Sequence, residues 1–144
     1  MGEAVGNPNL SAVRGIFFEQ YAHRQLRSGV RFRVRSLELE GQESGADQTE
    51  SFGQLQKLDV FVASDTQDGY YCQPIARNFE SIDAAIAPNK LIQITVGETH
   101  PVKQHGIDML KSKLDTNKEI RFYFVVPPDR YRTFRRQSYV SKKG

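Results

Sequence analysis

Four side chains of this sequence could do chemistry together if the fold brings them within reach of one another. In SIDAAIAPNKLIQITVGETHPVK, from Ser81 to Lys103, Asp83 precedes a turn, and Gln93 and Thr95 interrupt an otherwise apolar segment two residues apart. Glu19 lies far upstream, in FFEQYAHRQL. Carboxylate, amide and hydroxyl oxygens are hard donors, and these suit Mg²⁺, which takes oxygen ligands and keeps several waters. Asp83, Glu19 and Gln93 form the candidate metal set. His100 and Lys103 follow directly. An imidazole with an ordinary pKa of about 6.5 can act as base or donor near neutrality, and an ammonium group can meet a phosphate. Each residue also has a structural reading. Asp83 could be a hairpin residue bonded to backbone, Gln93 and Thr95 a buried hydrogen-bonded pair, and His100 a cap at a helix start.

The chemistry requires a hairpin and two helices. Strands over 81–86 and 91–96, joined by the turn at 87–90, would set Asp83 beside the polar pair. Alternation along the second strand turns Ile92, Ile94 and Val96 one way and Gln93 and Thr95 the other. His100-Pro101 opens a predicted helix over 101–114, with Pro in the first turn and Val102, Ile107, Leu110 and Leu114 as its apolar stripe. Upstream, the spacing predicts a helix over 10–28. Ser11 is its N-cap, Val13, Ile16, Phe17 and Tyr21 are its apolar stripe, and Gly29 stops it. Glu19 and His23, four apart, share a face of that helix; His23 and His105 read as structural or surface residues.

The remaining pattern completes a sheet. VRFRVRSLELE alternates, with Val30, Phe32 and Val34 opposite Arg31, Arg33 and Arg35, as in a strand with one charged face. GQESGADQTESFG reads as a loop, LDVFVAS as a short strand and YYC as a brief extended piece. EIRFYFVVP is nearly continuous in apolar residues, which predicts a strand buried on both faces. RYRTFRRQSYV reads as a short basic helix. The resulting order, α, β, β, β, β, α, β, implies an α/β fold with a mixed central sheet flanked by helices. Residues 1–9 read as a disordered tail, 10–140 as one domain and 141–144 as a basic tail.

At 144 residues the chain can bury a core without disulfide help. Its only cysteine, Cys72, reads as a reduced, buried thiol of an intracellular protein. No apolar run approaches the roughly 20 residues that span a bilayer. There is no GxxxxGK[ST] phosphate loop and no histidine–cysteine spacing for zinc. The net charge of +3 is mild, but its distribution is not. Arginines crowd 14–35 and 130–136, while Glu38, Glu40, Glu43, Asp47 and Glu50 form an acidic block between them. Two basic segments suggest a surface facing a polyanion.

A helical Glu, a strand Asp, a two-step polar pair on the next strand and a following helix resemble the core of the PD-(D/E)xK nuclease superfamily. Together, GIFFEQYAHRQLRSGVRFRVRSL, YYCQPIARNFESIDAAI, LIQITVGETHPVKQHGIDML and IRFYFVVPPDRYRTF resemble the nuclease-like domain of Crinkler effectors and retrotransposon hot spot proteins, over roughly 14–139. The resemblance implies a restriction-endonuclease-like fold and Mg²⁺-dependent cleavage of DNA. Asp83 matches the metal aspartate and Glu19 the helical acid. Gln93 stands where a second acid is usual, and Thr95 where a lysine is usual. A neutral amide binds a dication more weakly than a carboxylate, and threonine supplies no positive charge, so Lys103, or else His100, would have to assist the attacking water. Arg31, Arg33, Arg35, Arg135 and Arg136 would hold the phosphate backbone in a salt-dependent, sequence-blind way. The same departures fit a second reading, a nuclease fold that no longer cuts and serves an effector as a binding module for nucleic acid or a host protein. A host-nucleus destination is implied by the resemblance alone.

Overall fold

The structure is a computed structural model that describes residues 8–37, 47–60, 66–75, 82–99, 101–111, 119–135, 137 and 139–140. Helix α1 runs Pro8–Arg27. It begins ahead of Ser11, with Pro8 in the first turn, where a missing N–H costs nothing. Gly29, at φ 85°, ends it as the spacing predicts. A side chain there would press on Gln54, whose Cγ would lie 3.3 Å from the added carbon.

Nine short strands follow the helix among the described residues: β1 Phe32–Val34, β2 Gln48–Glu50, β3 Gln56–Val60, β4 Tyr70–Pro74, β5 Ala84–Ile86, β6 Lys90–Ile94, β7 Val102–Lys103, β8 Arg121–Val125 and β9 Tyr139–Val140. Two further helices are α2, Gln104–Lys111, and α3, Pro128–Tyr131. The central sheet is mixed, in the order β3-β4-β5-β6-β8. β4-β5 and β5-β6 are antiparallel, and β3-β4 and β6-β8 are parallel. The α/β class with a mixed central sheet and helices is thus present.

The two faces of this sheet carry separate apolar clusters. On one face α1 lays Ala22 and Leu26 against Tyr71, Ala84, Ile86, Ile92 and Ile94. The other gathers Val60, Cys72, Ile82, Ala85 and Leu91, with Phe122 packed against them. Cys72 is buried and reduced. Ile82 and Ala85 share one cluster while Ala84 joins the other, so the alternation slips by one residue at Asp83. Such a slip is the signature of a local bulge in a strand.

Several expectations are corrected. The apolar stripe of α1 faces outward: Phe17 is 71% exposed, and Val13, Ile16 and Tyr21 are exposed as well. The buried face is instead the row Phe18, Ala22 and Leu26, which also follows 3.6-residue spacing. Two apolar rows were available, and the one with Ala22 and Leu26 is the row that packs on the sheet. YYC is extended as expected, but it belongs to the five-residue strand β4, which lies inside the sheet between β3 and β5. β1 pairs with β2, inside the stretch that reads as a loop, and stands outside the central sheet. β8 lies at the sheet edge, with its residues half-buried or exposed. Its apolar character serves aromatic packing, with Phe122, Phe124 and Phe134 in a row at 4.9 and 5.2 Å between ring centroids. Val102 and Lys103 pair with β9 rather than opening a helix, and the basic C-terminal stretch divides into α3 and β9. Leu114 and residues 141–144 lie outside the described residues.

Candidate functional site

Asp83 sits at the bend that opens β5. Its N–H donates to the carbonyl of Ile92 at 2.8 Å, and its Oδ2 accepts from the N–H of Ile94 at 2.7 Å. The carboxylate is therefore pinned to the backbone of β6, as the structural reading of this residue has it. It is also an electrostatic neighbour of Tyr71, on the α1 side of the sheet.

Around Tyr71 lies a cluster that spacing alone does not disclose. His23, only 5% exposed, places Nδ1 2.7 Å from the Tyr71 hydroxyl, and its Nε2 lies 3.5 Å from Glu19 Oε1. The tautomer that serves both contacts accepts the Tyr71 hydroxyl on Nδ1 and points Nε2–H at Glu19. Burial lowers the pKa of His23, and the adjacent Glu19 carboxylate offsets this only in part. The imidazole is accordingly neutral near pH 7. Tyr71 is fully buried, and burial first, then the charge of Asp83, raises its pKa; Glu19 adds in the same sense. The charges of the two acids singled out by the sequence thus both raise the pKa of one hydroxyl.

Gln93 and Thr95 go elsewhere. Gln93 is 6% exposed and lies between Ile92 and Ile94, which face α1, so alternation turns it to the side of Leu91. Its partner across the parallel ladder is Phe124. Thr95 extends that ladder through its N–H to the carbonyl of Val125 at 3.0 Å, and its Oγ1 accepts from the N–H of Gly97 at 3.1 Å. Lys103 is exposed on β7, opposite Val140. His100 lies outside the described residues.

Among the described residues, no group of three or more His, Cys, Asp or Glu side chains is placed to hold a metal ion. Glu19 and Asp83 each offer carboxylate oxygens, the hard donor type that Mg²⁺ takes while keeping most of its water. They do not fit a dehydrated tetrahedral centre.

The basic segments, from opposite ends of the sequence, do meet. Arg14 of α1 bonds Asp129 of α3 at 3.1 Å, and Arg130 bonds Glu98 at 2.6 Å. Arg33 lies with its guanidinium 5.8 Å from the centre of the Tyr131 ring, and Arg132 at 5.3 Å. Arg35 is half-buried and donates to the carbonyls of Tyr131, at 2.7 and 3.1 Å, and of Phe134. It therefore braces the turn after α3. Arg31 is exposed, and so is Arg135, which donates to the carbonyl of Arg132 at 2.9 Å. Arg136 lies outside the described residues. No described helix is long and apolar enough to cross a membrane.

His23, Tyr71, Tyr131 and Arg132 belong to these clusters without having been singled out by the sequence. One signal was legible for His23, its four-residue spacing from Glu19. Tyr71 needed the position of β4, and Tyr131 needed the tertiary meeting of the two basic segments.

Comparison with known proteins agrees with the resemblance in part. No family model and no solved structure matches the chain. Two curated proteins of Phytophthora infestans, Crinkler effector protein 16 and Crinkler effector protein 15, are each 30% identical to it over 143 residues, which is 96% of this chain. The chain spans 23% of the length of each of these relatives. Over nearly its whole length, then, the chain is similar to a segment of Crinkler effectors, and that similarity supports the Crinkler family.

Proposed function

We propose that the chain is a nuclease-like domain of restriction-endonuclease type that acts on DNA, with Asp83 and Glu19 holding Mg²⁺. The supporting observation is a chain of contacts: His23 lies 3.5 Å from Glu19 and 2.7 Å from the buried Tyr71 hydroxyl, whose pKa the charge of Asp83 also raises. The ion would polarise the phosphate and lower the pKa of a bound water. The remaining work falls to the chain itself. The Ile94 N–H fixes the rotamer of Asp83. His23 holds Glu19 in place, and neutral His23 with protonated Tyr71 adds no charge behind the two acids. Lys103, or else His100, would assist the attacking water. Gln93 would be the neutral member of the metal set only if its strand turned. Arg31, Arg33 and Arg135 would meet the phosphate backbone.

The test is nicking of supercoiled plasmid in Mg²⁺ or Mn²⁺. Cleavage by the wild type that is lost in Asp83→Asn and in Glu19→Gln supports the reading. Cleavage that survives both substitutions removes these residues from the site.

One observation favours a second reading, a binding module of an effector that does not cut. The Thr95 Oγ1 accepts from the Gly97 N–H and is fixed in that turn, so the position where a lysine is usual carries a short hydroxyl and no positive charge. Salt-sensitive retention of DNA without cleavage would favour it. If the protein neither cuts nor retains DNA, a host protein becomes the expected partner.

A further inference from the structure

The Tyr131 cluster holds an anion of its own. Arg132 and Tyr131 converge on the carboxylate of Asp47. The hydroxyl donates to Oδ1 at 2.9 Å, Nη1 of Arg132 donates to the same oxygen at 3.1 Å, and Nη2 donates to Oδ2. The Arg33 charge acts on the same carboxyl, whose pKa is lowered by the Tyr131 bond first and then by Arg132. A guanidinium fork with a hydroxyl beside it grips a phosphate as well as a carboxylate, because both present two oxygens at matching spacing. The Arg132 side chain is 65% exposed, so this ion pair is open to competition from solvent-borne anions. Arg135, bonded to the Arg132 carbonyl, adds a further cation beside the fork. Asp47 itself belongs to the acidic block between the two basic segments.

We propose that Arg132, Tyr131 and Arg33 form a binding site for a phosphodiester of nucleic acid, and that Asp47 is a built-in competitor occupying that site. This deepens the nucleic-acid reading above and rests on it, but it does not depend on cleavage. Displacement of Asp47 exchanges one anion for another on the same donors. Affinity for DNA is therefore held below what the basic surface would otherwise give.

The test is a fluorescence-anisotropy titration with a short fluorescein-labelled DNA duplex. It compares wild type, Asp47→Asn, Arg132→Gln, the double variant, and Glu98→Gln as a control. The control removes one negative charge from the separate pair with Arg130. Asp47→Asn should tighten binding by roughly threefold or more beyond the control. Arg132→Gln should weaken binding, cancel that gain in the double variant and reduce the salt slope by about one. A gain no larger than that of Glu98→Gln, or one that persists without Arg132, overturns the proposal while leaving DNA binding intact. No binding by any variant overturns both the proposal and the nucleic-acid reading.

Discussion

The Tyr71 hydroxyl and His23 Nδ1 lie 2.7 Å apart, both buried where α1 crosses the central sheet. Glu19 touches the far side of the imidazole, and the Asp83 charge acts on the phenol. This contact links the packing of the helix to the candidate site. Tyr71→Phe keeps the ring in the core but leaves a buried imidazole nitrogen without its partner. The expected loss is about 1–3 kcal/mol of unfolding free energy. Urea denaturation measures it, and an unchanged midpoint would mean that the contact carries no net stability.

The lowered pKa of His23 sets a pH dependence. The unfolded chain takes up this proton near the ordinary value of 6.5, and the folded chain only at lower pH. The stability due to a neutral His23 is thus fully present above that value and is lost as pH falls through the interval down to the folded pKa. Urea midpoints measured from about pH 7 to 5 should fall, and His23→Gln should flatten that fall. Parallel profiles for the two proteins would show that His23 is not the group responsible.

The two apolar rows of α1 should differ sharply in stability. Leu26 is 2% exposed and packs against the sheet, so Leu26→Ala should cost about 2–5 kcal/mol. Phe17→Ala, on the outward row, should stay within about 0.5 kcal/mol. Thermal or urea unfolding distinguishes them, and a comparable loss from Phe17→Ala would mean that the outward row is covered.

Asp83 has a structural duty besides its proposed chemical one. Asp83→Ala leaves the Ile94 N–H without its side-chain acceptor, at an expected cost of about 1–3 kcal/mol. Asp83→Asn keeps an acceptor and should be milder. Unfolding curves of the two variants should differ in that order, so Asp83→Asn is the variant for functional assays.

Much of this molecule was legible in its residues. Gly29 ends α1, the hairpin carrying Asp83 forms, and the Glu19–His23 spacing places both on one face. What failed did so where local pattern had two solutions. Val13, Ile16, Phe17 and Tyr21 follow helical spacing as well as Phe18, Ala22 and Leu26 do, and only the sheet decides between them. The slip at Asp83 was equally invisible, because alternation counted from Gln93 assumes a regular ladder. One displaced residue associates Asp83 with Tyr71, while Gln93 lies in register with Phe124. The apolar run of β8 suggested burial, yet at a sheet edge the same rings pack sideways on one another.

The central claim is that Glu19 and Asp83 act as one carboxylate pair on a phosphodiester. Its most direct test is the rate of plasmid nicking in Mg²⁺ for wild type, Glu19→Gln and Asp83→Asn, each first shown to be folded. The expected result is cleavage by the wild type, abolished by EDTA and reduced at least about 100-fold by either substitution. Cleavage that continues at the wild-type rate in both variants would contradict it.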